Sequence, residues 1–67
     1  MPKKIRELKA LLQKAGFTCK PGKGSHTKWK HARREKPVIL SGKDGVDAKP
    51  YQEREVAEAL EEVQRGE

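Results

Sequence analysis

Apolar residues near the start of the chain recur at the spacing of an α-helix. Lysine, arginine and glutamate side chains fall mostly on the opposite side of that helix. Proline suits the first turn of a helix and glycine suits the position just beyond its end, and Pro2 and Gly16 occupy these places. The pattern predicts a helix over residues 3–15, with an apolar face made of Ile5, Leu8, Leu11, Leu12 and Ala15.

The middle of the chain has short segments in which apolar and polar residues alternate, a pattern that is typical of β-strands. The predicted strands are residues 17–20, residues 25 to about 32, and residues 37–41. Phe17 and Cys19 would share one face of the first strand. Turn-forming residues 21–24 and the charged residues 33–36 separate the strands. Because short turns join antiparallel neighbours, the pattern indicates a three-stranded antiparallel sheet.

A second helical pattern closes the chain. A residue before proline avoids helical geometry, so this helix should begin at or just after Pro50, and Gly66 should end it. Its apolar stripe consists of Val56, Ala59, Leu60 and Val63. The order of elements predicts an α+β fold of the α-β-β-β-α type, in which both helices pack on one face of the sheet.

The size of the chain limits what it can build. Its 67 residues predict a single domain over residues 1–67 with a thin core, because only three residues are aromatic. Cys19 is the only cysteine, so no disulfide forms within the chain, and we expect it to be a small buried apolar residue. No apolar run approaches the roughly 20 residues that cross a bilayer. These features predict a cytoplasmic protein with no membrane partner.

The charge is distributed unevenly along the chain. The net charge is +6, but residues 1–50 hold 14 Lys and Arg against 4 Asp and Glu. Residues 51–67 hold 2 Arg against 6 Glu. A basic body attracts polyanions, of which nucleic acid is the commonest in cytoplasm. The acidic end is interpreted as a solvated helix face or as a surface for a basic partner.

The second predicted strand contains the most informative chemistry. Alternation would place Trp29 on one face with Ser25 and Thr27, and would place His26 on the other face with Lys28 and Lys30. A buried tryptophan would then leave the histidine exposed beside the lysines. Histidine moves protons near neutral pH, and positive charge attracts phosphates, so this face suits RNA binding or phosphodiester cleavage.

These features together resemble the HicA family, which are small mRNA interferase toxins of bacterial type II toxin–antitoxin systems. The opening helix and first strand resemble the family's at Leu8, Leu11, Leu12, Gly16 and Phe17. Lys23, Gly24, Ser25 and His26 resemble its central motif, and an aromatic residue follows three positions after the histidine. Many members carry a Pro-x-His pattern after the third strand, where this chain has Leu40, Ser41, Gly42 and Lys43.

The resemblance implies a double-stranded-RNA-binding-domain-like fold, cleavage of mRNA and a catalytic role for His26. It also implies a HicB-type antitoxin as partner. Lys28 and Lys30 are expected to contact phosphates and to offset the charge that grows during cleavage. Lys20 and Lys23 would extend this RNA-binding surface, and the amide of Gly24 could approach a phosphate.

The predicted chemistry requires no metal and no small-molecule cofactor. The nucleophile is the 2′-hydroxyl of the RNA, and a histidine can remove its proton or protonate the leaving 5′-oxygen. His26 and His31 would face opposite sides of a strand, and Cys19 would lie on the apolar face of another. Zinc needs about four converging ligands, which this arrangement does not provide.

Several alternatives stay open at the level of the sequence. His26 could be an exposed polar residue without a role, Ser25 a turn-forming hydroxyl on the buried face, and His31 a strand-end residue beside Trp29. The whole chain could be a non-catalytic RNA-binding module, an accessory protein of the ribosome or another RNA assembly, or an inactive toxin relic. Double-stranded RNA binders use the start of their last helix, where Glu53 would repel phosphate here.

Overall fold

Two helices and three strands make up the computed structural model, which describes residues 3–65. The elements are α1 (Ile5–Lys14), β1 (Thr18–Pro21), β2 (Thr27–His31), β3 (Arg34–Leu40) and α2 (Pro50–Arg65). The strands form one antiparallel sheet in the order β1-β2-β3. The predicted α+β fold with α-β-β-β-α order is confirmed, and it is consistent with a double-stranded-RNA-binding-domain-like fold. The predicted roles of Pro2 and Gly66 fall outside the described residues.

The core lies between the helices and one face of the sheet. Among residues 3–65 it contains eleven buried apolar residues, which come from both helices, from β2 and β3 and from the segments between elements: Ile5, Leu8, Leu12, Phe17, Trp29, Val38, Leu40, Ala48, Val56, Ala59 and Val63. The apolar face of α1 is narrower than predicted, because Leu11 is 37% exposed. On α2, Leu60 is only partly buried against this core.

The sheet is covered unevenly, and this corrects the prediction for Cys19. In the register Cys19 lies opposite Trp29, so the two residues share a face. However, α2 packs on β3 and all four residues of β1 are exposed. Cys19 is therefore exposed and not part of the core. Phe17 is buried, but it precedes β1 and is not part of the strand.

The hairpin between β2 and β3 is tighter than predicted. Residues 32–33 form the turn, so most of the charged segment predicted as a turn belongs to β3. Arg34 is held in the strand because its Nε donates to Glu62 of α2 at 2.5 Å. A second guanidinium nitrogen of Arg34 donates to the carbonyl of Lys36 at 2.6 Å. Glu62 lies in another part of the chain, so local charge alone predicted the wrong boundary.

The segment between β3 and α2 is bound to the start of α1. The first amides of a helix have no partner within it. Here they are satisfied by loop carbonyls, through Ile5 N to Val46 O at 2.9 Å and Arg6 N to Asp44 O at 3.2 Å. The Lys4 ammonium also pairs with the carboxylate of Asp47 at 2.5 Å. These bonds fix the path of the loop.

Gln52 is the one buried polar side chain among the described residues, at 3% exposure. Its Oε1 accepts a hydrogen bond from the amide of Lys49 at 2.8 Å, as in one half of a capping box. Its Nε2 donates to the carbonyl of Ser41 at 3.0 Å. Helix α2 begins at Pro50, as predicted. The Gln52 side chain caps this end of the helix and connects it to the end of β3.

Candidate active site

His26 is the last residue of the turn that joins β1 to β2. Its amide donates to the carbonyl of Lys23 at 3.1 Å, and its carbonyl accepts from the amide of Gly22 at 2.8 Å. Gly24 has a φ of +61°, in the left-handed region that favours glycine. Because the amide of His26 is used inside the turn, β2 begins at Thr27 and not at Ser25 as predicted.

The opposite exposure of Trp29 and His26 is confirmed. The indole is 5% exposed, and its Nε1 donates to Oγ1 of Thr27 at 3.0 Å on the same face of β2. Thr27 Oγ1 in turn donates to the carbonyl of Leu40 at 3.5 Å, on the neighbouring strand. His26 is exposed to solvent. The imidazole is therefore free to reach a ligand, while the tryptophan serves the core.

Ser25 is a turn residue, as predicted, but its predicted place on the buried face with Trp29 was wrong. It is exposed because it belongs to the turn and not to β2. Its Oγ accepts a hydrogen bond from the amide of Gly42 at 3.3 Å. The hydroxyl therefore connects the β1–β2 turn to the loop that follows β3.

The turn and the loop enclose a surface depression of about 600 Å³, called here the His26 depression. It is lined by the turn, by the start of β2, by the loop after β3 and by one side chain of α1: Pro21, Gly24, Ser25, His26, Thr27, Gly42, Lys43, Asp44 and Lys9. Lys9 Nζ lies 2.7 Å from Oδ1 of Asp44. The lining carries one net positive charge when the histidine is neutral.

Lys9, Lys43 and Asp44 were missed by the sequence analysis. They are distant from His26 in the chain, and no spacing rule relates a helix residue to a loop beyond the third strand. One sequence feature pointed to this loop, since it occupies the place of the Pro-x-His pattern in the family that the sequence resembles. No other feature of the sequence pointed to Gly42 and Lys43.

The lysines that were predicted to bind RNA lie outside the lining of the His26 depression. Lys28 lies opposite Lys20, and Lys30 lies opposite Thr18, in the register of β1 and β2. Since Trp29 points into the core, these side chains point away from it, and all three lysines are exposed. We call Lys20, Lys28 and Lys30 the lysine face.

The lysine face and Lys23 do not take part in the His26 depression. Among the residues that the structure describes, the lining includes none of Lys20, Lys23, Lys28 and Lys30. Lys23 is exposed in the turn, and its carbonyl accepts the amide of His26. Of the residues predicted to contact RNA, Gly24 alone lines the depression together with His26.

The contacts of His31 give it a structural role. It is the last residue of β2, and its ring lies 5.0 Å from the ring of Phe17 at an angle of 57°. Its Nδ1 accepts a hydrogen bond from the amide of Arg33 at 3.0 Å and so supports the tight β2–β3 turn. A side chain at Gly16 would come within 3.4 Å of its Nε2. This packing accounts for the residue without any role in chemistry.

Residues 3–65 contain no group of three or more histidine, cysteine, aspartate or glutamate side chains placed to hold a metal ion. Neither helix within that range has the length and apolar character to cross a membrane.

Comparison with known proteins gives one match. A family model described as the HicA toxin of bacterial toxin–antitoxin matches residues 5–62. The match includes all of α1, all three strands, the β1–β2 turn, the loop after β3 and most of α2. The search of curated proteins found no match. The search of solved structures also found none.

Proposed function

The chain belongs to the HicA family, the toxins of bacterial toxin–antitoxin systems, and we propose that it is a ribonuclease that cuts mRNA in the cytoplasm. The observation that carries this proposal is the exposed imidazole of His26 in a depression with net positive charge. An acid–base group and a site for an anion are the two things that RNA cleavage requires. As a toxin of this class, the protein has an antitoxin as its partner.

The reaction uses the nucleophile that RNA itself carries. The 2′-oxygen bonds to the adjacent phosphorus, the bond from phosphorus to the 5′-oxygen breaks, and the products are a 2′,3′-cyclic phosphate and a 5′-hydroxyl. His26 either takes the proton of the 2′-hydroxyl or gives a proton to the leaving 5′-oxygen. Water in the open depression performs the other transfer. One such acid–base group contributes a rate factor of about 10² to 10⁴.

The lysine face supplies affinity for the rest of the RNA. Lys20 of β1 and Lys28 of β2 lie opposite each other on adjacent strands, and Lys30 of β2 lies on the same face. Together with Lys23 in the turn, they give exposed positive charge that can contact successive phosphates. At Gly24 an added Cβ would meet no atom within 4 Å, so a phosphate can approach this backbone.

The proposed partner is a HicB-type antitoxin that covers the His26 depression. Such a partner would exclude RNA from the imidazole by occupying the same surface. Carboxylates on the antitoxin would complement the basic residues that otherwise contact RNA.

The test is cleavage of RNA by the purified protein in the presence of a chelator. We expect the wild-type protein to cut, and His26→Ala to slow cleavage by about 10² to 10⁴-fold. His26 is exposed and its backbone makes the hydrogen bonds of the turn, so the substitution should change stability by less than about 0.5 kcal/mol.

The matched control is the other histidine. His31→Asn retains a polar atom near the position of Nδ1, and the residue lies outside the lining of the His26 depression. A folded His31→Asn variant should cut RNA at the wild-type rate. Cleavage by His26→Ala at the wild-type rate would refute the proposal.

A non-catalytic RNA-binding module is the second candidate, and the separation of the lysine face from His26 favours it. In that case the wild-type protein would bind RNA and cut none. The start of α2 does not favour the docking used by double-stranded RNA binders, because Glu53 and Glu55 lie in its first two turns. The same cleavage assay therefore separates the two functions.

A further inference from the structure

We propose that Lys43 is a second catalytic residue, which binds the non-bridging oxygens of the scissile phosphate beside His26. This inference rests on the proposed ribonuclease activity. It also assigns a place to the scissile phosphate, namely the His26 depression, and leaves the lysine face to hold the flanking nucleotides.

A single hydrogen bond relates the two residues. Ser25 directly precedes His26, Gly42 directly precedes Lys43, and the amide of Gly42 donates to Oγ of Ser25 at 3.3 Å. The turn and the loop are therefore in contact at the positions next to the two proposed catalytic residues. Both side chains line the same depression.

The charges in the depression single out Lys43 as the group for an anion. The other cation of the lining, Lys9, has its ammonium 2.7 Å from the carboxylate of Asp44. Within residues 3–65, Lys43 has no carboxylate partner in a salt bridge or hydrogen bond, and it is exposed. Its ammonium is thus available to a phosphate, whereas that of Lys9 is already compensated.

The backbone on both sides of Lys43 is hydrogen-bonded to other parts of the fold. Gly42 has a φ of +112°, and a Cβ there would lie 3.5 Å from Cγ1 of Ile5. The carbonyl of Asp44 accepts the amide of Arg6 at 3.2 Å. These contacts place Lys43 beside the depression, where its ammonium can stabilise the charge that develops in the transition state.

The chemistry requires such a cation close to the histidine. Attack by the 2′-oxygen produces a five-coordinate phosphorus whose non-bridging oxygens carry more negative charge than in the starting diester. A cation stabilises this state more than the substrate and so raises the rate of the chemical step. Lys43 lines the depression, whereas none of the residues of the lysine face does.

The test is single-turnover cleavage with protein in excess, so that binding and chemistry are measured separately. Lys43→Gln should lower the maximal rate by about 10- to 100-fold, below the 10² to 10³-fold effect of a buried oxyanion donor because Lys43 is exposed. Lys43→Arg should recover most of the rate, since the guanidinium also binds phosphate.

Lys14→Gln is the matched control, because it removes the same charge from an exposed lysine at the far end of α1. The two Gln variants should bind RNA with similar affinity and differ in maximal rate. Equal maximal rates, or a Lys43→Gln defect confined to affinity, would overturn the assignment of Lys43 while leaving the ribonuclease intact. A wild-type protein that cuts no RNA would overturn both proposals.

Discussion

At the scale of single residues, the position of His26 depends on its neighbours. The alternating pattern correctly predicted a buried Trp29 and an exposed histidine, because both follow from one period-two segment. The pattern misplaced Ser25, since a turn can continue one residue further without changing the composition. The bond from Gly42 to Ser25 was not predictable, because it joins residues 17 positions apart.

The Ser25 hydroxyl should therefore matter for both the rate and the stability. Ser25→Ala removes the acceptor of the Gly42 amide, and one such bond contributes about 0.5–1.5 kcal/mol. We expect a loss of that size in urea unfolding and a several-fold fall in the maximal cleavage rate. Ser25→Thr, which keeps the hydroxyl, is the control. Wild-type values of both quantities in Ser25→Ala would show that the bond is unimportant.

At the scale of elements, the helices were predicted well and the strand boundaries less well. Helical spacing repeats over many residues, so a single exception such as Leu11 does not hide it. A strand of four or five residues has few repeats, and its ends depend on partners elsewhere in the fold. Arg34 is an example, because its ion pair with Glu62 of α2 keeps a charged residue inside β3.

Gln52 gives a prediction for the start of α2. Gln52→Leu preserves the approximate volume but leaves the amide of Lys49 without its acceptor and the carbonyl of Ser41 without that donor. An unsatisfied buried group costs about 1–3 kcal/mol, so the free energy of unfolding should fall by about that amount. Urea denaturation monitored through Trp29 fluorescence measures it.

The control for this substitution is Gln64→Leu, which makes the same chemical change at an exposed position of the same helix. It should change the free energy of unfolding by less than about 0.5 kcal/mol. Equal midpoints for the two variants would contradict the role given to Gln52.

At the scale of the whole molecule, the sequence predicted the fold class and the basic character of the protein. It did not predict which basic residues line the same depression as His26. Lys9 and Lys43 line the His26 depression, whereas the residues of the lysine face do not. Three segments that are far apart in the chain contribute to that depression. The position of Lys43 in this depression depends on the loop after β3, which is hydrogen-bonded to α1. No local sequence pattern predicts that contact.

The basic surface predicts a strong dependence of RNA binding on salt. Lys28→Glu with Lys30→Glu should weaken binding, and the slope of log K against log salt should become less steep by about 1.4 if two phosphate contacts are lost. Both residues are exposed, so the fold should be unaffected.

The double variant Lys14→Glu with Lys36→Glu is the control, as it makes the same change in net charge at exposed positions outside the lysine face. It should retain the wild-type slope. Identical slopes for all three proteins would show that the lysine face does not contact RNA.

The central claim is that His26 moves a proton while the 2′-hydroxyl of RNA attacks the neighbouring phosphate. The most direct measurement is the chemistry of the RNA ends produced in chelator by the wild-type protein and by His26→Ala. We predict 2′,3′-cyclic phosphate and 5′-hydroxyl ends from the wild type, and almost none from the variant although it binds RNA with equal affinity. The same ends formed equally fast by the variant, or 5′-phosphate ends whose formation stops in chelator, would contradict the mechanism.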